Sequence, residues 1–390
     1  LTATLETTVN TRGHTMTADF GTRLRALLAD RGMSMRGAAR ALRYDVAYLS
    51  RVVNGRQHPS AQLAAALDEL LEADGQLAAL AERVTPPACP DGEPPSSASD
   101  IARMQESAAY LLVHADRYGG DTVAPAAVQV WRSAQSRLDS GEIPDKAQRR
   151  YLSAVSEAAQ VAGWLLFDAG GWDAARRAFL EAHMLARHAG DRPRQWFALD
   201  MLAMLDTELS RPGETRRIAE ELLSERRIPP RVALLAHMRR GRAHAQAGDR
   251  THALADLDAA RGGLEESLHP RDPEWAWWVN HCEVTGHAGH ALLSLGSPDA
   301  AVRKLRSVLP QATPRGVMLY RIELLRSYAT ARAWGEAEEE LQKITTLLGQ
   351  IRSGRNRHLL QEALRTVDAA SGAPARLLAL SGAAAASVAG

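Results

Sequence analysis

The sequence predicts an all-α protein in two parts, a small five-helix domain followed by a long stack of paired helices. Three observations carry this. Apolar residues recur at helical spacing from Thr17 onward. Residues 84–99, VTPPACPDGEPPSSAS, hold five prolines and no periodicity, which reads as a linker. From Asp100 to about Ala370 one helical pattern follows another, with no credible strand. A length of 390 residues with 45% hydrophobic content suits two or three domains with ordinary cores.

The first helix of the small domain carries Phe20, Leu24, Leu27 and Leu28 and stops near Gly32. Ser34 is placed to cap a second helix, with Ala38, Ala39 and Leu42 inward. Asp45 is placed to cap a third, which ends at Asn54-Gly55. At eight or nine residues that helix is too short to stand alone in water, so its neighbours must clamp it. Pro59-Ser60 opens a fourth with Leu63, Leu67, Leu70 and Leu71, and a fifth lies around Leu77 and Leu80. Met16 directly precedes the first helical pattern, and residues 1–16 are expected to be a disordered extension.

Beyond the linker, the helices of residues 100–370 repeat. A small residue in a first helix is followed seven residues on by glycine, then by alanine and a large apolar residue in a second helix. The pattern fits Gly163, Gly170, Ala175, Phe179 and Ala182; Gly241, Gly248, Ala253, Leu257 and Ala260; and Gly289, Gly296, Ala301 and Leu305. Weaker copies centre on Ala203, Ala219 and Leu222, and on Leu325, Tyr328, Ala337 and Leu341. Small residues permit close helix approach, and glycine permits the tight turn between partners. Residues 371–390 are expected to form a flexible tail.

The net charge of +1 hides a local block. Arg23, Arg25, Arg31, Arg36, Arg40, Arg43, Arg51 and Arg56 face only Asp19, Asp30 and Asp45 between residues 16 and 58, whereas residues 59–83 are acidic. A basic face confined to one small domain is the footprint of nucleic-acid binding. Arginine usage is high throughout, since Lys146, Lys304 and Lys343 are the lysines of the chain.

The stretch SMRGAARALRYDVAYLSRVVNGR, within residues 18–75, resembles the helix-turn-helix of the Cro/cI-type (XRE) family of bacterial regulators. Ser34, Ala39, Leu42, Asp45, Leu49, Val52, Asn54, Gly55, Arg56 and Pro59 occupy matching positions. The resemblance implies a DNA-binding domain over 17–83 whose third helix enters the major groove. Val46, Ala47, Ser50 and Arg51 then fall where the family reaches base edges, and Asn54 and Arg56 where it grips phosphates. Ser34, Arg36 and Tyr48 complete the DNA-contacting set. Residues 46, 47, 50, 51 and 54 share one helical face, Arg51 can pair with guanine O6 and N7, and Val46 or Ala47 can meet a thymine methyl. Met35, Gly37 and Arg43 stand where the family commonly has Gln, Glu and a turn glycine. The recurring hairpins resemble tetratricopeptide repeats, although their anchors are spaced 40, 38, 48 and 36 residues against the usual length of about 34. That resemblance implies an α-solenoid with a concave binding surface.

Weaker signals point in several directions. Glu283, His287 and His290 share a helical face and include metal-ligating types, but ordinary packed or surface histidines account for them more simply. Trp275, Trp277 and Trp278 read as core or interface fill. Regulators with this domain order include peptide receptors that clamp the peptide backbone with asparagines, and the repeat region offers only Asn280 and, near its end, Asn356. Arg176, Arg177, Arg239, Arg240 and Arg242 are candidates to meet an acidic partner or ligand. Cys89 and Cys282 are too far apart in sequence for a disulfide framework or a zinc site of the two-plus-two kind.

No nucleophile elbow, phosphate loop, H-E-x-x-H or dinucleotide-binding unit is present, so an enzyme and a cofactor are not expected. With no apolar run approaching a membrane span and no exported leader, the expected compartment is the cytoplasm. The expected function is sequence-specific transcriptional regulation by a homodimer on a double-stranded DNA operator, with a peptide, small molecule or protein bound by the repeats. The alternative is an adaptor whose repeats control a protein partner, with DNA binding secondary.

Overall fold

The computed structural model describes residues 12–42, 44, 46–53, 59, 61–82, 97–265 and 269–389. Among them the chain is helical without strands, and it divides into two compact units, residues 1–93 and 94–390. None of the described helices is long and apolar enough to cross a membrane.

The first unit contains α1 (Arg12–Asp30), α2 (Met35–Ala41), α3 (Val46–Val53), α4 (Ala61–Leu71) and α5 (Gln76–Glu82). Helix α1 begins inside the segment expected to be disordered, so residues 12–16 belong to the first helix; residues 1–11 lie outside the described residues. Phe20, Leu24, Leu49, Val52, Leu63, Leu67 and Leu77 form one buried core to which all but the second helix contribute large side chains. The second contributes Ala38 and Ala39, and small residues there let α2 lie close to α3 and α4. The Asp68 carboxylate, drawn from the acidic segment, caps α5 by accepting from Leu77 N at 2.9 Å and Ala78 N at 2.7 Å.

The second unit is a run of helical hairpins: α6 (Ser97–Tyr118) with α7 (Ala124–Asp139), α8 (Asp145–Asp168) with α9 (Trp172–Ala189), and α10 (Arg192–Glu208) with α11 (Pro212–Leu223). Then follow α12 (Pro230–Gln246) with α13 (Arg250–Glu265), α14 (His281–Ser294) with α15 (Pro298–Val308), α16 (Pro314–Ala331) with α17 (Trp334–Leu348), and α18 (Gly354–Ala369) with α19 (Ala375–Ala389). The last helix corrects the expected flexible tail. Leu377, Ala384 and Val388 of α19 are buried against α17 and α18, because an alanine-rich segment with one apolar stripe is a good helix former once a neighbour can cover that stripe.

The repeat pattern has a direct physical cause. A Cβ on Gly163 would lie 2.5 Å from the Phe179 ring, and one on Gly289 would lie 2.8 Å from Leu305. A Cβ on Gly241 would meet Ala253 O and Leu257, each at 3.2 Å. Seven residues after each anchor the backbone is left-handed: Gly170, Gly248 and Gly296 have φ of 80°, 78° and 69°. The two weaker copies place Ser210 and Arg332 there, with φ of 53° and 57°.

The stack bends until its ends meet. First helices α8, α10, α12, α14, α16 and α18 each pack on the next, α18 returns to α8, and α6 bridges α8 and α16. Arg352 N donates to Tyr118 O at 2.7 Å, and Asp121 N to Arg352 O at 3.1 Å. Gly119 and Gly354 stand where the two ends touch; a Cβ on either would fall about 2 Å from the opposing backbone. The curvature expected of the solenoid is therefore carried to closure, and the first helices form a ring that carries paired charges.

Candidate nucleic-acid interface

Helix α3 is clamped as its length requires. Leu49, Val52 and Val53 are buried, and Gly21 of α1 lies so close to the end of α3 that a Cβ there would fall 2.1 Å from Val53 O. Arg25 Nη2 donates to the same carbonyl at 2.9 Å, satisfying one of the acceptors a helix leaves open at its C-terminus. These two residues of α1 fix where α3 ends. Neither stands out in the sequence, since a lone glycine and one arginine among eight carry no local signature.

Ser34 caps α2, its Oγ accepting from Gly37 N at 3.0 Å. Gly37 fits there because a Cβ would sit 3.3 Å from that oxygen, and Met35 packs on the core where a polar residue would face outward. After α2 the chain reverses with Tyr44 N donating to Ala39 O at 2.9 Å.

The arginine block separates into two groups. Arg23 is held by Gln76, Arg25 by Val53 O, and Arg31 by Glu72 at 2.9 Å. Arg36 and Arg40, one turn apart on α2, are exposed and have no hydrogen bond or ion pair to another described residue. Among the residues expected to contact DNA, Val46 is half-buried against the core and Ser50 is partly exposed. Ala47, Tyr48 and Arg51 belong to the backbone of α3, and their side chains lie outside the described residues. Asn54 and Arg56 lie outside them altogether, as do Arg43 and Asp45 of the turn.

In the second unit, the arginines expected to meet an acidic partner are largely spent internally. Arg239 makes two 2.9 Å hydrogen bonds to Asp200, Arg240 makes bonds of 2.8 and 2.7 Å to Asp256, and Arg176 pairs with Asp206. Arg355 joins Glu208 at 2.9 and 3.1 Å, and Arg315 joins Asp168 at 3.2 Å and Asp116 at 3.3 Å. Among the described residues Arg242 has no carboxylate within ion-pair distance; burial pushes its guanidinium down to about 10, against the pull of Glu208 and Glu323.

The structure gives the histidines of the Glu283, His287 and His290 face protein partners. Guanidinium nitrogens of Arg239 and Arg242 face the two ring nitrogens of His287 at 3.3 and 3.1 Å, and His290 turns to Glu323 at 3.4 Å. Burial, reinforced by Arg239 and Arg242, drives His287 well below the usual imidazole range. Burial also works against the Glu323 carboxylate, but His290, Arg326 and Arg242 together outweigh it and hold the group at about 2.

The asparagines have structural tasks. Asn280 caps α14, accepting from Cys282 N at 2.9 Å and Glu283 N at 3.2 Å. Asn356 is fully buried at the ring closure and donates to Arg315 O at 3.2 Å. Trp275 donates to Pro193 O at 3.0 Å and packs on Phe197, as fill between helices.

No curated protein matches the chain. Residues 19–81, which span the core of α1 to α5, match the family model described as a helix-turn-helix domain, and the first unit is accordingly a helix-turn-helix DNA-binding domain.

Proposed function

We propose that this chain is a non-enzymatic, sequence-specific transcriptional regulator of the Cro/cI (XRE) type, acting in the cytoplasm on a double-stranded DNA operator. The observation that carries the reading is the division of arginines around α2 and α3. Three are consumed in bracing the domain, while Arg36 and Arg40 remain exposed on α2 beside the recognition helix. Two exposed cations one turn apart suit phosphate contacts, which position a protein on the duplex. The face of α3 bearing Val46, Ala47, Ser50 and Arg51 then reads bases.

The tetratricopeptide-like ring serves as the assembly and effector module. Recognition helices act in pairs on half-sites about 34–36 Å apart, so a homodimer is the working form. Exposed Tyr110 and Val113 on α6, and Leu180 and Met184 on α9, supply apolar surface for such protein contacts. A peptide, small molecule or protein bound there would alter operator affinity and, by linkage, bind differently to the DNA-bound form.

Competition titrations of the full chain on operator and scrambled DNA, at several salt concentrations, test the reading. Arg51→Ala costs about 1–3 kcal/mol on the operator and flattens preference chiefly at one guanine. Arg36→Ala weakens all sequences alike and lowers the salt slope by about one counterion. Equal loss on both DNAs for Arg51→Ala would mean that α3 grips backbone and that sequence is read elsewhere.

A further inference from the structure

We propose that His244, Asp249 and His252, at the turn between α12 and α13, form a binding site for one divalent transition-metal ion of the zinc class. The site is independent of the DNA-binding reading. The spacing His-x4-Asp-x2-His brings the end of one helix and the first turn of the next to a common point. The three ligand atoms all lie within 4.8 Å of one another. Asp249 Oδ2 is 3.5 Å from His244 Nδ1 and 2.7 Å from His252 Nδ1, and the two imidazole rings stack with centroids 5.2 Å apart.

Tetrahedral zinc with nitrogen and oxygen ligands at about 2.0–2.2 Å holds its ligand atoms roughly 3.3–3.5 Å apart. The His244–Asp249 separation already meets this. The His252 ring has to withdraw from Asp249 by less than 1 Å and close on the His244 nitrogen from a separation of up to 4.8 Å, and its side chain is 68% exposed and free to move. Asp249 is held for the task, since its Oδ1 accepts from His252 N at 3.1 Å as the cap of α13, which leaves Oδ2 directed at the imidazoles.

Charge around His244 supplies an independent reason. Its Nδ1 faces Asp249 and its Nε2 lies 3.9 Å from Asp256 Oδ2. A neutral imidazole has one proton for these two carboxylates, so whichever nitrogen carries it, the other turns a lone pair toward anionic oxygen. Asp256 is buried and fixed by Arg240 and by His237 at 2.8 Å. With the proton on Nε2, toward Asp256, the free Nδ1 pair and the Asp249 carboxylate converge on a point that a cation satisfies. A carboxylate behind a ligating histidine is the usual outer support of such sites. The ligands line an open cavity of about 590 Å³ with Glu220 and Arg216, which gives an ion access and leaves a coordination position for water.

The test is a Co²⁺ titration of the untagged, chelator-treated full chain, followed by visible absorption. One equivalent binds with micromolar affinity and the intense bands of low-coordinate cobalt, and Zn²⁺ displaces it. His252→Ala and Asp249→Asn each weaken binding at least tenfold; the asparagine retains the cap, and circular dichroism verifies that both variants keep their helicity. His287→Gln leaves binding unchanged. Absence of these bands at micromolar cobalt, or binding equally tight in the His252 and Asp249 variants, overturns the assignment.

Discussion

Gly163→Ala tests the physical basis of the repeats. The added methyl would lie 2.5 Å from Phe179 Cε1 and 2.7 Å from Cδ1, about 1 Å inside ordinary carbon contact. Phe179 is fully buried in a cluster with Phe167, Ala175 and Leu205, so the ring has nowhere to retreat. Overpacking of this kind costs about 1–3 kcal/mol, while alanine regains about 1 kcal/mol of helix propensity over glycine. The expected result is a net loss of about 0–2 kcal/mol. Gly262→Ala on exposed α13, where nothing lies within 4 Å of the new Cβ, has the propensity gain without the clash and is expected to stabilise by about 0.5–1 kcal/mol. Gly289→Ala, with its closest contact at 2.8 Å, falls between them. Denaturant unfolding followed by circular dichroism measures the series, with thermal shifts of about 1–2 °C per kcal/mol as a check. The reasoning is refuted if Gly163→Ala is as stable as Gly262→Ala.

Two further outcomes follow from the structure. Gly21→Ala drives a methyl against the Val53 carbonyl and is expected to cost about 2–3 kcal/mol in the helix-turn-helix unit, seen as faster amide exchange in α1 and α3 and loss of DNA binding; unchanged exchange would show that α1 does not fix the end of α3. His287 has a folded pKa below its unfolded value, so the unfolded chain binds the extra proton and stability falls as pH drops below about 6.5, by up to about 1.4 kcal/mol per unit, until the folded pKa is reached. Unfolding of wild type and His287→Gln between pH 7 and 5 measures this, and parallel curves would show that the imidazole is not held neutral by its burial beside Arg239 and Arg242.

What the sequence disclosed was local. Apolar spacing, the Ser34 cap and the small-residue and glycine anchors each act within one or two helices, so the all-α class, the first-unit helices and the paired repeats could be read from them. Ser210 and Arg332 were hidden because their turns are left-handed without glycine, held by the packing of the hairpins they join. Ring closure was hidden for a different reason. It rests on pairs such as Asp168 with Arg315 and Glu208 with Arg355, 147 residues apart in each case, and no window of sequence relates such partners. Helix α19 was missed because GAAAASVAG has the composition of a tail, and its burial depends on a groove between α17 and α18 that only the assembled fold provides. The arginine count pointed to the correct domain, yet only the structure separates bracing arginines from exposed ones.

Closure should also change how the repeat unit comes apart. A linear solenoid frays from its ends, because each repeat contacts only its neighbours. Here α18, near the end of the chain, is tied to α10 by Arg355 and Glu208 and to α8 through Gly354 and Ser353, whose Oγ donates to Asp168 O at 3.1 Å. Burial opposes ionisation of Glu208, and the charge and hydrogen bonds of Arg355, helped by Arg242 and His290, together more than offset it, so the carboxyl sits below its usual range. Removing the guanidinium strands that carboxylate, a penalty of about 3–5 kcal/mol for a buried pair, and also removes the stacking of Arg355 on Phe167 at 4.8 Å. Arg355→Ala is therefore expected to open the ring, with amide exchange rising together in α8, α10 and α18. Arg355→Met, which keeps the packing without the charge, separates the two contributions. If exchange rises only in α18 and α19, the terminal hairpin frays as in a linear stack and the closing ion pairs do not couple the two ends.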